Sequence, residues 1–143
     1  MPVRKADAKW NGSLKEGAGE LGLGSGAYRG PYDFGSRFED GKATNPEELI
    51  GAAHAGCFTM AMTAAMGREG ITPTELRTTA TVHLGQGAAG LSITKIELVT
   101  RGRVPGIDDA KFKAFAEGAR TGCVISRALA GVGEITLDAA LDG

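Results

Sequence analysis

No charged residue occurs between Leu49 and Met66, and this stretch constrains the fold more than any other feature of the chain. Asn45, Pro46 and Glu48 precede it as an N-cap, a first-turn proline and a near match to the capping box. The stretch therefore predicts a helix that is apolar on every side and must be covered on every side. A sheet and one amphipathic helix cover only part of it, so we expect a homodimer in which a second copy covers the rest.

The same stretch has the length of a membrane span but not its composition. Its Ala, Gly, His and Thr residues make it far less hydrophobic than a spanning helix, so the sequence predicts a buried helix and no membrane partner. The N-terminal run "MPVRKADAKW" carries charges with no apolar segment behind them, which predicts no secretory signal. We expect a cytoplasmic protein.

Length and charge narrow the class of protein. A chain of 143 residues has the length of a single domain, so we expect residues 1–143 to form one domain. Its 16 basic and 17 acidic residues form no basic stripe, which argues against nucleic acid as a partner. In the cytosol a structural disulfide is rare, so the two cysteines are either inert core residues or a working redox, metal or nucleophilic pair.

Alternating apolar residues predict strands on both sides of the helix, and together they indicate an α+β fold. A run from Asp108 to Gly122 predicts an amphipathic helix, and "CVISRALA" predicts one or two further helical turns. The stretch "LSITKIELVTRGRV" changes phase after Ile93, which predicts a β-bulge in a long strand. The other predicted strands cover Ala6–Trp10, Tyr32–Phe38, Leu76–Leu84 and Ile135–Leu141.

Two glycine patterns fit the G-x-G-x-x-G spacing of nucleotide-binding loops. They cover Gly17–Gly22 and Gly85–Gly90, and neither opens a helix after a strand. Both are therefore interpreted as turns, with no nucleotide cofactor.

The two cysteines occupy different surroundings, in "HAGCFTM" for Cys57 and "TGCVISR" for Cys123. The helical stripe around Cys57 is small and apolar and has no cation, which should raise the pKa of its thiol. Cys123 follows Gly122 where a short helix begins, and the helix dipole there favours a thiolate. The residues alone leave open which cysteine reacts, and an inert core Cys57 is a further alternative. With His54 and His83 they could also supply four zinc ligands, but the spacing argues against a metal site.

Arg37 and Glu47 are the candidate charged partners for a reactive sulfur. Arg37 interrupts a strand whose other face is aromatic, although a solvated surface charge is the alternative. Glu47 lies in the first helical turn, where the dipole alone would favour a carboxylate. Because Glu48 already fits the capping-box position, Glu47 is free for another role.

A long stretch of the chain, "PYDFGSRFEDGKATNPEELIGAAHAGCFTMAM", resembles the osmotically inducible protein C (OsmC) family, relatives of the organic hydroperoxide resistance (Ohr) proteins. The segments "KWNGSLKEGAG", "VPGID", "TGCVIS" and "EITLDAAL" resemble the family in the same order. The resemblance implies a thiol-dependent peroxidase that reduces organic hydroperoxides to alcohols, without metal or other cofactor. It also implies an OsmC-like fold, an intertwined homodimer with antiparallel sheets and a buried central helix that carries Cys57.

The resemblance assigns roles to four residues. Cys57 matches the peroxidatic cysteine, Cys123 the resolving cysteine, and Arg37 and Glu47 the charged pair beside the reactive sulfur. An arginine at position 37, instead of nearer the N-terminus, indicates the OsmC branch. Val124 stands where the family often has proline, which should loosen the position of Cys123 slightly. The resemblance further implies a thiol or dithiol reductant, lipoyl-bearing by analogy with Ohr.

The sequence also predicts where the substrate and the charged pair lie. Ile50, Phe58 and Met60 are expected to form an apolar lining around Cys57, with Phe34 or Phe38 nearby, which suits an alkyl hydroperoxide.

Glu47 and Cys57 stand ten residues apart, about 15 Å along a straight helix. Either the chain before Ile50 folds back, or Glu47 and Arg37 reach Cys57 from the other subunit. Because the capping signal predicts a regular helix from Pro46 onward, we expect the second arrangement.

Two other classes of function stay open at the level of sequence. In a Cys-His acyl-transfer enzyme, His54 would be the base, although one helical turn from Cys57 is an awkward approach and no orienting acid is evident. A non-catalytic, stress-related binding module is the second alternative, and it predicts that neither cysteine changes oxidation state when a hydroperoxide is added.

Overall fold

A computed structural model describes residues 1–143, which form two compact units, residues 1–49 and 50–143. The first unit is a three-stranded antiparallel sheet followed by a short helix. Its elements are β1 (Ala6–Asn11), β2 (Ala18–Leu23), β3 (Arg29–Tyr32) and α1 (Phe34–Phe38), with strand order β1-β2-β3.

The first glycine-rich pattern lies largely within β2 and not, as its interpretation as a turn predicts, in a loop. A Cβ at Gly19 would lie 2.5 Å from the Tyr32 ring and 2.6 Å from the Trp10 ring. Glycine therefore lets the two aromatic rings close over the strand, where they meet edge-on with their centroids 5.3 Å apart.

The predicted strand from Tyr32 to Phe38 is wrong beyond Tyr32, because α1 begins there. The Asp33 carboxylate accepts from the Ser36 amide at 2.7 Å, and the Ser36 hydroxyl accepts from the Asp33 amide at 3.0 Å. This reciprocal capping fixes a helical turn. Phe34 and Phe38 are four residues apart, a spacing that fits strand alternation and one helical turn equally well. Arg37 consequently lies on a helix.

The second unit packs helices against a three-stranded sheet of order β4-β5-β6. α2 begins in the last residues of the first unit and continues into the second. β4 and β5 are antiparallel, and the pairing slips so that His83 faces Lys95 while Leu84 faces Ile93, which confirms the predicted bulge. The elements are α2 (Pro46–Arg68), β4 (Glu75–Gly87), β5 (Gly90–Arg103), α3 (Asp109–Gly122), α4 (Val124–Ala128) and β6 (Ile135–Leu141).

The family resemblance implied antiparallel sheets, but the sheet of the second unit is mixed. Its strands β5 and β6 pair in parallel. The chain crosses over through α3 and α4 between these strands, and such a crossover returns it in the same direction. α3 starts as predicted, with the Asp108 carboxylate accepting from the Lys111 amide at 2.8 Å. Its buried residues lie on one face, which confirms the predicted amphipathic helix; they are Phe112, Phe115, Ala116 and Ala119.

Within one chain α2 is buried on one face only. Residues at four-residue spacing, His54, Phe58, Met62 and Met66, are fully buried. The opposite face is exposed, including Met60 with 75% of its surface accessible. α2 is the one helix long and apolar enough to span a membrane, so the expectation that its composition excludes a span is wrong. Its buried face nevertheless belongs to the protein's own core.

Candidate functional site

The two cysteines meet where α2 passes the junction of α3 and α4. Cys57 lies in the middle of α2 and is half-buried, whereas Cys123 is 2% exposed. Cys123 is at once the C-cap of α3 and the N-cap of α4. Both thiols are free, and they lie close enough for each to shift the pKa of the other.

The first turn of α4 directs its backbone amides at sulfur. The Ser126 amide donates to Cys123 Sγ at 3.2 Å, and the amides of Val124 and Ile125 lie near enough to Cys57 to lower the pKa of its thiol. These are the unpaired N–H groups that every helix start leaves over. Because they lie in consecutive residues after Cys123, the short segment "TGCVIS" serves both cysteines at once.

The pKa of the Cys57 thiol is raised above its usual value. Burial is the largest cause, and the neighbouring Cys123 adds to it, while the Ile125 and Val124 amides offset part of the effect. None of these causes is a Lys or Arg side chain. The apolar surroundings predicted for Cys57 are confirmed, and the thiol needs a cation to ionise readily.

The pKa of Cys123 moves the other way. Burial acts to raise it, but hydrogen bonds with the Ser126 hydroxyl and amide, with Cys57 and with the Ile125 amide together lower it. The start of α4 therefore favours a thiolate at Cys123, as the helix-dipole rule predicts. Accessibility favours Cys57 for contact with substrate, because Cys57 is half-buried whereas Cys123 is 2% exposed.

Arg37 and Glu47 form the ion pair that the family resemblance implied. Arg37 Nε donates to Glu47 Oε1 at 3.0 Å and its Nη2 donates to Oε2 at 3.2 Å, a two-pronged contact. Glu47 is 9% exposed, so the carboxylate of the ion pair is nearly buried. Asn45 caps α2 by accepting from the Glu48 amide at 2.7 Å, and the Glu48 carboxylate accepts from the Thr44 hydroxyl.

An apolar cavity of about 380 Å³ opens beside Arg37 within the first unit. The Arg37 guanidinium lies 5.2 Å above the Phe38 ring, in cation-π contact. Aromatic residues dominate the wall, and the sequence prediction included only Phe34 and Phe38 among them. The side chains that line it are Trp10, Leu14, Tyr32, Asp33, Phe34, Arg37 and Phe38.

The expected lining around Cys57 is wrong for Phe58, which is fully buried in the core of the second unit. Phe58 lies one residue after Cys57, and neighbouring helical positions face different directions. The sequence did not predict that Trp10 and Tyr32 line the cavity. Two signals could have indicated them, namely the alternation along β1 and the glycine at position 19, which both rings contact.

His54 forms a hydrogen bond with a serine and none with a cysteine. Its Nε2 lies 2.7 Å from Ser126 Oγ, it is fully buried, and its Nδ1 has no hydrogen-bond partner. His83 bonds instead to Glu97 at 2.6 Å on an exposed part of the sheet. The four residues of the zinc alternative do not converge, and no group of three or more His, Cys, Asp or Glu side chains is placed to hold a metal ion.

Sequence comparison identifies the relatives of this chain. The family model for OsmC-like proteins matches residues 39–138. Peroxiredoxin OsmC of Escherichia coli (strain K12) is 48% identical over 136 residues, which cover 94% of this chain and 94% of that protein. An organic hydroperoxide resistance protein of Xanthomonas axonopodis pv. citri (strain 306) is 35% identical over 108 residues, covering 75% and 72%.

Solved structures share the fold. An organic hydroperoxide resistance protein from Elizabethkingia anophelis superposes with a TM-score of 0.77 at 24% identity, covering 99% of both chains. A protein from Legionella pneumophila described as an organic hydroperoxide resistance protein OsmC gives 0.76 at 22% identity, covering 98% of this chain and 99% of that one. With the family model matching well over half of its length, the chain belongs to the OsmC-like protein family.

Proposed function

We propose that this protein is a thiol peroxidase that reduces organic hydroperoxides to alcohols. The observation that carries the proposal is the half-buried Cys57 beside the buried Cys123, with α4 amides directed at both sulfurs. The names of its relatives, a peroxiredoxin and an organic hydroperoxide resistance protein, support the same class of reaction.

The chemistry divides between the two sulfurs. The Cys57 thiolate attacks one peroxide oxygen, an S–O bond forms, the O–O bond breaks, and the alkoxide takes a proton and leaves as the alcohol. Cys57 is then a sulfenic acid. The Cys123 thiolate attacks its sulfur, an S–S bond forms, and hydroxide leaves and is protonated to water. A thiol or dithiol reductant then returns both cysteines to thiols by exchange.

The charged pair supplies what Cys57 lacks in its own surroundings. Burial raises the pKa of Cys57, so the peroxide step needs a cation, and Arg37 held by Glu47 is a planar guanidinium fixed in one orientation. We propose that the pair acts on Cys57 of the other subunit of a homodimer. The exposed face of α2 supports a second copy, and the helix rise over the ten residues from Glu47 to Cys57 supports a pair acting across subunits.

The finer assignments belong to the same proposal. The aromatic cavity beside Arg37 suits the organic group of an alkyl hydroperoxide better than hydrogen peroxide. A lipoyl-bearing dithiol is the proposed reductant, by the relationship to Ohr. We further propose that residues 1–143 act as one domain in a cytoplasmic homodimer.

Intact mass spectrometry tests the reaction. The reduced protein receives one equivalent of cumene hydroperoxide without reductant, and we expect a loss of two hydrogen atoms together with one equivalent of cumyl alcohol. Peptide mapping should place the disulfide between Cys57 and Cys123. The double variant Cys57→Ser/Cys123→Ser is the control and should keep its mass. An unchanged mass of the unmodified protein would refute the enzyme and favour the binding-module alternative.

Mixed dimers test the arrangement across subunits. Glu47→Gln chains and Cys57→Ser chains should each be inactive alone, whereas a heterodimer contains one intact site and should regain up to about half of the activity per dimer, since one of two sites is complete. Exchange is followed with a mass tag on one variant. Confirmed exchange without recovery would place Arg37, Glu47 and Cys57 in one chain while leaving the reaction itself intact.

A further inference from the structure

Two buried side chains, His54 and Ser126, connect α2 to Cys123, and neither has a role in the reaction described above. His54 Nε2 lies 2.7 Å from Ser126 Oγ, and Ser126 Oγ lies 3.5 Å from Cys123 Sγ. His54 is fully buried and Ser126 is 6% exposed. Water therefore has little access to this path.

The unpartnered ring nitrogen of His54 indicates which atoms donate and which accept in these hydrogen bonds. A neutral imidazole carries its proton on either Nδ1 or Nε2. A proton on Nδ1 would bury an N–H group without an acceptor, which is rarer and costlier than burying an unused acceptor. The ring therefore carries its proton on Nε2 and donates to Ser126 Oγ. The Ser126 hydroxyl is then free to donate to Cys123 Sγ, beside the Ser126 amide that already does so at 3.2 Å.

We propose that His54 is a positioning residue for the resolving step, holding the Ser126 hydroxyl as a donor to the Cys123 sulfur. This inference rests on the proposed function and deepens it. Two donors from Ser126 then converge on one sulfur and stabilise its thiolate. That thiolate attacks the sulfur of the Cys57 sulfenic acid, forming the S–S bond and breaking the S–O bond, and the proton that Cys123 released converts the departing hydroxide to water.

His54 acts as a neutral donor in this scheme and not as a base. Burial alone lowers its pKa, and no acidic side chain contributes to the shift. A charged imidazolium at this place would be buried without a counter-ion. The titratable group that acts on Cys123 is Cys57, its reaction partner, so the thiolate depends on hydrogen bonds and not on a nearby cation.

Rapid-quench kinetics of a single turnover test the proposal. Reduced protein is mixed with one equivalent of cumene hydroperoxide, and the rates of sulfenic acid and disulfide formation are followed separately. We expect His54→Leu and Ser126→Ala to slow disulfide formation by about tenfold and to move its pH profile to higher pH, because each removes a donor to a thiolate. His54→Gln keeps an amide donor near the position of Nε2 and should recover most of the rate.

Matched controls identify a merely structural role. His83→Leu and Ser92→Ala remove a histidine and a serine hydroxyl at the β4–β5 hairpin, and both should form the disulfide at the unmodified rate. Far-UV circular dichroism checks that each variant is folded. Equal slowing by His54→Leu and His54→Gln with an unchanged pH profile would overturn the proposal, as would wild-type rates in Ser126→Ala.

A second measurement needs no peroxidase activity. In a Cys57→Ser background, the pH dependence of iodoacetamide alkylation reports the thiolate of Cys123 alone. Adding His54→Leu or Ser126→Ala should raise the pKa of Cys123, and adding His54→Gln should not. If this result holds while the protein fails to consume hydroperoxide, the proposed function is wrong, whereas the hydrogen-bonded path from His54 through Ser126 to the Cys123 thiolate stands. An unchanged alkylation profile in all three would refute the role of His54 alone.

Discussion

The two compact units of this chain bury different kinds of side chain. Every buried large apolar side chain belongs to residues 50–143, where Phe58, Met62 and Phe112 are completely inaccessible. In residues 1–49 the buried side chains are polar, Ser36, Thr44 and Glu47. The first unit is therefore held by strand pairing, capping and ion pairs, and only the second has a hydrophobic core of its own.

The same division separates the parts of the proposed site. The second unit contains both thiols and no cation that acts on them. The first unit contains Arg37 and the aromatic cavity but no cysteine. A buried core keeps two sulfurs in register but raises the pKa of Cys57, whereas a polar, half-exposed unit can hold a guanidinium at little desolvation cost. Under the proposed function, each unit therefore supplies a part that the other lacks.

The largest expected effect concerns the two sulfurs. Cys57→Ser should abolish peroxide consumption, since the serine hydroxyl is not ionised near neutral pH. Cys123→Ser should consume one equivalent and stop at a sulfenic acid, which dimedone labels and mass spectrometry detects. The ferrous-xylenol assay measures the peroxide remaining. Equal residual turnover in both variants, with a dithiol present, would contradict this division of roles.

The difference in core packing should appear as a difference in stability. Phe112→Ala should lower the free energy of unfolding by about 3–5 kcal/mol, because a fully buried ring leaves a cavity. Leu14→Ala, at a side chain that is 62% exposed, should change it by no more than about 0.5 kcal/mol. Urea unfolding at one fixed protein concentration measures both. Similar losses would show that residues 1–49 carry a core after all.

The charged pair tests whether the first unit serves the second. Arg37→Met should slow the peroxide step by about one to two orders of magnitude at neutral pH and move the alkylation profile of Cys57 to higher pH, because the thiolate loses its cation. Arg37→Lys should recover only part of the loss, since an ammonium group cannot bridge thiolate and carboxylate as a planar fork does. If the methionine variant keeps the original profile, Arg37 is a surface charge and the comparison fails at this point.

The sequence predicted the elements that local rules determine. The cap at Asn45 and Pro46, the bulge after Ile93 and the buried face of α3 all follow from short-range spacing, and the structure confirms them. The strand predicted through Phe38 failed because a four-residue spacing is compatible with both periods, and a side-chain capping interaction decided between them. The parallel pairing of β6 depends on a crossover, which no local pattern encodes.

The functional site was predicted from the family resemblance and not from local spacing. Spacing alone left the reacting cysteine open, and the structure shows why: the pKa of Cys57 is raised by burial, while hydrogen bonds at the start of α4 overcome burial and lower that of Cys123. The roles of Cys57, Cys123, Arg37 and Glu47 came from the family resemblance and remain predictions. The contact between His54 and Ser126 joins residues 72 positions apart, so only the fold could reveal it.

The smallest expected effect is a pH dependence of stability that arises from the core of the second unit. Burial lowers the pKa of His54 below its unperturbed value of 6.5. Above pH 6.5 the ring is neutral in both folded and unfolded states and costs nothing. As the pH falls below 6.5 the unfolded chain takes up a proton that the folded chain does not, so stability decreases until the pH passes the lowered pKa of the folded state.

We therefore expect His54 to lower the free energy of unfolding between pH 7 and pH 5, by no more than about 2 kcal/mol at pH 5. His54→Leu and His54→Gln should both remove this part of the slope, because neither side chain ionises. Ser126→Ala keeps the imidazole and should keep the slope, which separates protonation of the ring from loss of its hydrogen bond. Urea unfolding of the four proteins at one concentration measures the slopes. A slope that survives both His54 substitutions would mean that another group in the chain takes up the proton.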